Sequence, residues 1–164
     1  MSSDYFLHHS PNHLTEKKLL INLINELPRN SFKDVSHTDW NFPDSLKLNY
    51  KNIFYDKIYK KFREEFEEKV KHEITLMNVW FQCYDHMSLH TWHHHGRCHF
   101  SNVYYLNLPN KEVKTQLKKF EQPIEIDVSE GDILSFPAYY LHRSPINMFQ
   151  EPKMIISFNT SLTE

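Results

Sequence analysis

Glycine and alanine are almost missing from this 164-residue chain, which holds two glycines, Gly96 and Gly131, and a single alanine, Ala138. Glycine is the residue that turns the backbone left-handed at no steric cost, so its scarcity makes each one a turn to be explained. Cysteine is equally scarce. Cys83 and Cys98 are too few for a disulfide framework, and with no CxxC pair they do not suggest a structural zinc site. A reducing cytoplasm is the expected location, and each thiol is expected to pack as a small hydrophobe. Charge of one sign is also lacking: 19 Lys and Arg stand against 21 Asp and Glu. With that balance and no block of like charges, electrostatics name no partner and nucleic acid is not indicated. No basic patch followed by an apolar run opens the chain, and nowhere do about 18 apolar residues follow one another, so neither a leader nor a membrane partner is expected. No feature specifies an oligomeric state.

At this length one core is expected, and residues 1–164 read as a single domain. From Thr15, a plausible N-cap, Leu19, Leu20, Leu23, Ile24 and Leu27 recur at helical spacing until Pro28. Residues 28–45 carry Pro28, Asn30, Ser31, Asp39, Asn41, Pro43 and Asp44, the chemistry of a loop. A longer helix follows, with Tyr55, Ile58, Tyr59, Phe62, Phe66 and Val70 as its apolar stripe. Helix therefore dominates to about residue 72.

From about residue 73 to 162 the period changes to two. Ile74–Tyr84, Phe100–Leu108, Pro123–Val128, Asp132–Phe136 and Lys153–Leu162 are β-branched and aromatic runs between turn residues. Residues 111–119 read as a charged connection, a solvated loop or a helical turn. Helices first and strands after give an α+β class. A strand half without helices must hide its edges, which favours a jelly roll, the cupin-like double-stranded β-helix, with the N-terminal helices packed on one sheet.

The chemistry is concentrated in histidine. Six of the 12 histidines lie between positions 86 and 99, three of them consecutive at 93–95. A strand sends residues i and i+2 to one side, so His93 and His95 point together and His94 points away. A facial iron site needs such a pair plus a distant histidine, leaving the opposite face open. His142 is the only histidine after His99. In the last strand alternation places Lys153, Ile155 and Ser157 on one face. If that face is interior, Lys153 is a buried cation and calls for an anion. A dicarboxylate that chelates the metal at one end and meets Lys153 at the other supplies one, with the Ser157 hydroxyl adding a hydrogen bond.

The order Tyr84, His93-x-His95, Tyr104-Tyr105-Leu106-Asn107, Glu130-Gly131-Asp132, Phe136-Pro137, His142 and Lys153 resembles the Fe(II)/2-oxoglutarate oxygenases of the prolyl-hydroxylase type over about residues 77–160. Arg97-Cys98 followed by Tyr-Tyr-Leu-Asn is similar to the oxygen-sensing prolyl hydroxylases. The GD…FP….H segment and the SFN ending are similar to small oxygenases of phages and bacteria. The resemblance implies His93 and His142 as iron ligands, Lys153 as partner of the distal 2-oxoglutarate carboxylate, and Tyr84 and Tyr105 as cosubstrate contacts. It also implies hydroxylation of a small molecule, an amino acid or a peptidyl proline, with release of succinate and CO2.

One residue departs from the family pattern, since position 95 is usually aspartate. Either His95 is a third ligand, or water or halide takes its place. Tyr84 and Tyr105 fit ordinary core packing as well, Lys153 fits an exposed strand start, and Arg97 fits either a substrate carboxylate or solvent. Residues 131–142 also approximate a cupin box, so the competing class is a three-histidine metal protein that uses no 2-oxoglutarate. A non-catalytic binding domain is the third. Residues 28–45, 110–120 and 138–141 are expected at the pocket mouth.

Overall fold

The computed structural model describes residues 4–164. Ten strands form two antiparallel sheets. The larger is ordered β1-β8-β5-β10-β3-β2, from Phe6–His9, Asp132–Pro137, Phe100–Asn107, Lys153–Leu162, Ile74–Tyr84 and His37–Thr38. The smaller is ordered β4-β9-β6-β7, from His90–His93, Leu141–Ser144, Gln116–Lys119 and Gln122–Ile124. The fold class read from the sequence is the one observed.

The two faces of the large sheet do different work. On one, Phe81, Tyr104, Ile156 and Phe158 meet Leu20 and Ile24 of α1 (His13–Asn25) and Phe54 and Phe62 of the second helical rod, all of them buried. On the other, Tyr84, Val103, Tyr105, Leu134 and Ile155 face the small sheet and form a second core with Leu117. The site lies between the sheets, beside this second core.

The helical rod runs as α2 (Asp44–Ile53), a π-helical stretch (Phe54–Tyr59) and α3 (Lys60–Val70). Its buried line is Phe54, Ile58, Phe62 and Phe66, at a spacing of four. An α-helix of 3.6 residues per turn drifts off that line, and the wider π turn absorbs the difference. The stripe read from the sequence is corrected at its start: Phe54 is buried, whereas Tyr55 is 39% exposed and stacks on Tyr59.

Other boundaries also differ. Asn12, not Thr15, caps α1. The strands β1 and β2 lie in the stretch read as helix and loop; Phe-Leu-His-His carries no alternation of apolar and polar residues, and two residues are too short for any period. Residues 111–119 begin with the helical turn the sequence allows, a short 3₁₀ turn at Lys111–Val113, but continue into the strand β6. The run 123–128 pairs only through Gln122–Ile124.

Two polar anchors hold the layers. Asp39, fully buried, accepts hydrogen bonds from the Tyr50 hydroxyl and from Phe81 N–H, the latter at 2.9 Å, which fastens α2 to β3. Glu130 accepts from Lys17 at 2.8 Å, from the His13 ring at 2.9 Å and from Leu108 N–H at 3.0 Å. Burial pushes the Glu130 carboxyl up, but these donors hold it below its ordinary range.

Candidate metal centre and cosubstrate pocket

His93 ends β4 and His142 lies in β9, directly opposite in the antiparallel register. His95 follows the strand, held by its N–H to Ala138 C=O at 3.0 Å, while Ala138 N–H returns to His99 C=O at 2.9 Å. The three rings converge: centroids are 4.1 Å apart for His93 and His142, 4.9 Å for His95 and His142, and 5.4 Å for His93 and His95. One ring nitrogen of each lies within 4.8 Å of the others. His94, His86 and His99 are exposed.

Tautomers are fixed by the second nitrogen of each ring. His93 Nδ1 donates to Thr91 C=O at 2.7 Å and His142 Nδ1 to Tyr140 C=O at 3.2 Å. A carbonyl oxygen only accepts, so Nδ1 carries the proton and Nε2 offers its lone pair. His95 Nδ1 is held by Asn159 Oδ1 at 2.7 Å and Ser101 Oγ at 2.8 Å. Burial lowers the His93 pKa to about 4, and lowers His95 and His142 as well. All three are neutral at pH 7, the form that binds metal. Three imidazole nitrogens suit iron, zinc, copper or nickel.

A cavity of about 250 Å³ opens beside these rings. Gln82, Ser157, Ile155, Thr115, Tyr84 and Ser144 also line it. Lys153 stands behind Ser144, fully buried, and its Nζ donates to Ser144 Oγ at 2.8 Å. Tyr84 lines the cavity beside the same serine. The ammonium lies 5.3 Å from the Tyr84 ring centroid and 6.0 Å from that of Tyr105. Among the described residues no carboxylate forms an ion pair with Lys153, and burial drops its pKa to about 7. Tyr105 does not line the cavity; its hydroxyl accepts from Thr115 N–H at 3.3 Å. Ser157 lines it, its hydroxyl 3.4 Å from Gln82 Oε1.

His90 lines the cavity as well: it stacks on His93 with ring centroids 3.9 Å apart, and its Nδ1 lies 3.3 Å from Gln82 Nε2. Asn159, which holds His95 but does not line the cavity, continues the inward face of β10, and the same alternation that marked Lys153 and Ser157 could have found it. Ser144, two residues after His142, follows from the same rule on β9. Of the expected mouth segments, 28–45 contributes Phe32, Lys33, Thr38 and Trp40 and 110–120 contributes Thr115, whereas 138–141 contributes no lining residue; Arg97 and Cys98 do not line the cavity either.

The same fold recurs in solved structures. An oxidoreductase of the 2OG-Fe(II) oxygenase family from Burkholderia pseudomallei superposes with a TM-score of 0.75 at 12% identity, over 96% of this chain and 84% of that one. The viral collagen prolyl hydroxylase of Paramecium bursaria Chlorella virus-1, solved with 2OG, gives 0.67 at 19%, over 99% and 98%. The non-haem, alpha-ketoglutarate-dependent epimerase of nogalamycin biosynthesis gives 0.72 at 10%, over 96% and 77%. The chain has the double-stranded β-helix fold of the 2OG-Fe(II) oxygenases. No family model matches the chain, and no curated protein sequence matches it. No helix among the described residues is long and apolar enough to cross a membrane.

Proposed function

We propose that this chain is a non-haem Fe(II)/2-oxoglutarate-dependent oxygenase that hydroxylates a small-molecule or peptide substrate. The observation that carries the reading is a cavity lined by three neutral imidazoles with a buried ammonium, unmatched by any carboxylate among the described residues, behind its Ser144 wall. The imidazoles fit a divalent metal, and the ammonium fits the far carboxylate of a dicarboxylate cosubstrate.

His93, His95 and His142 hold the iron, which when bound supplies the activation of dioxygen coupled to conversion of 2-oxoglutarate to succinate and CO2. Lys153 and Ser144 receive the distal carboxylate, the Tyr84 hydroxyl orients Ser144, and Tyr105 walls the ammonium from behind. Ile155 and Val103 keep that part of the pocket apolar, so the ion pair forms with little competition from water. Ser157 and Gln82 offer hydrogen bonds midway along the cavity.

The test is spectroscopic. Fe(II) and 2-oxoglutarate added without oxygen should give a visible charge-transfer band, absent in Lys153→Ala, and admitted oxygen should then give succinate. The histidine at position 95, in place of a carboxylate, favours a second reading, a cupin-type three-histidine metal protein. Iron binding with no response to 2-oxoglutarate would select that one.

A further inference from the structure

The cavity wall is electrically one-sided. Its lining includes Lys33 and Arg143 but no aspartate or glutamate. Arg143 is already engaged: its Nε donates to Gln116 Oε1 at 2.7 Å and its guanidinium carbon lies 4.7 Å from the Trp92 ring centroid. Lys33 is not. Its Nζ has no ion-pair or hydrogen-bond partner among the described residues and rests 5.4 Å from the Phe32 ring centroid at the cavity mouth.

Lys33 also sits where a lysine costs stability. Phe32 and Val35 exchange both backbone hydrogen bonds, at 3.2 and 3.0 Å, around a two-residue turn in which Lys33 adopts φ 52. Glycine or asparagine takes that conformation more readily. Leu89 N–H, donating to Asp34 C=O at 3.1 Å, pins the turn in place. Of the five non-glycine residues with positive φ, Lys33 alone lines the cavity. Strain kept at a pocket mouth points to use there. In the same cavity lining, Trp40 is 46% exposed and packs edge-on against buried Trp80 at 4.8 Å, which in turn lies 5.6 Å from His95. This is an apolar platform leading to the histidines.

We infer that the cavity selects an anionic substrate, an apolar or aromatic body laid on Trp40 and Trp80 with a carboxylate received by Lys33. The inference rests on the oxygenase reading, in which Lys153 and Ser144 are occupied by 2-oxoglutarate. A cationic substrate finds no counter-charge on the wall and meets Lys33 at the entrance.

The experiment uses one body with three charges: 3-phenylpropionate, 3-phenylpropanamide and 3-phenylpropylamine. Each is titrated by tryptophan fluorescence into protein saturated with Fe(II) and 2-oxoglutarate without oxygen. The acid should bind at least tenfold more tightly than the amide, and the amine most weakly. Lys33→Gly should erase the acid's advantage while raising the melting temperature, because glycine relieves the turn, and Lys33→Glu should favour the amine. Equal affinities, no binding by any of the three, or an acid preference that survives both substitutions would overturn the inference. The two readings fail separately. A missing 2-oxoglutarate-dependent band in the wild type removes the oxygenase assignment, whereas a normal band without acid preference removes only this one.

Discussion

Lys153 and Ser144 share the single hydrogen bond that the buried ammonium makes among the described residues, Nζ to Oγ at 2.8 Å. An ammonium has three donors, so this one serine leaves it under-satisfied. Burial lowers the Lys153 pKa from 10.5 to about 7. Between those values the unfolded chain binds a proton that the folded chain does not, so stability rises with pH across that window. Below pH 7 both states are protonated and the full penalty applies. Lys153→Met should therefore be more stable than the wild type at pH 6, by on the order of 4 kcal/mol. The advantage should fade as pH approaches 10.5. Urea melts at pH 6 and 9.5 measure both ends, and a variant less stable at pH 6 would mean that the amine is already matched by a counter-charge.

Cosubstrate affinity should carry the same signature. The distal carboxylate binds the protonated amine, so the dissociation constant for 2-oxoglutarate should be flat below pH about 7 and rise about tenfold per unit above it. His93, lowered to about 4, is neutral throughout and adds no slope. Anaerobic titration of the visible band across pH 6 to 9 measures this. In Lys153→Met binding should be weak and independent of pH.

What the sequence discloses depends on how long each element is. The runs 74–84, 100–107 and 153–162 span eight residues or more, so period two is plain and places Lys153 and Ser157 inward without any structure. The small sheet is built from strands of four residues or fewer, and Gln-Leu-Lys-Lys of β6 reads as a solvated link. Thr115 was hidden for that reason, since its place on the cavity wall arises from the register within the small sheet. The π turn shifts the buried face of the rod in a way that no fixed helical period anticipates. The convergence of His93 and His142 was legible because the consecutive histidines lie next to a turn and the distant partner is the only histidine after His99.

The two glycines provide a matched pair. Gly131 has φ 90, and a Cβ there would meet the His13 ring at 2.9 Å, a ring held in place by Tyr104 at 2.6 Å and Glu130 at 2.9 Å. Gly131→Ala combines left-handed strain with overpacking and should cost about 2 to 4 kcal/mol. A Cβ on Gly96 meets nothing within 4 Å and its φ is not positive. Gly96→Ala should change stability by less than about 1 kcal/mol, in the stabilising direction. Thermal melts of the two variants beside the wild type measure the difference.

The substitution of histidine for a carboxylate at position 95 is tested through Asn159, which holds His95 Nδ1 at 2.7 Å and has no contact with His93 or His142 among the hydrogen bonds described. An outer partner that orients a metal-bound imidazole contributes about 10- to 100-fold in metal affinity. Asn159→Ala should lose that much, read by competition with a chelating dye. His95→Asp should keep binding iron through His93, His142 and the new carboxylate, a two-histidine, one-carboxylate set. The shorter side chain no longer reaches Asn159, so adding Asn159→Ala to His95→Asp should cost little more. This non-additivity separates a positioning role from a general loss of structure, which would add in both backgrounds. Full metal affinity in His95→Ala would instead mean that water completes the site and that only His93 and His142 are protein ligands.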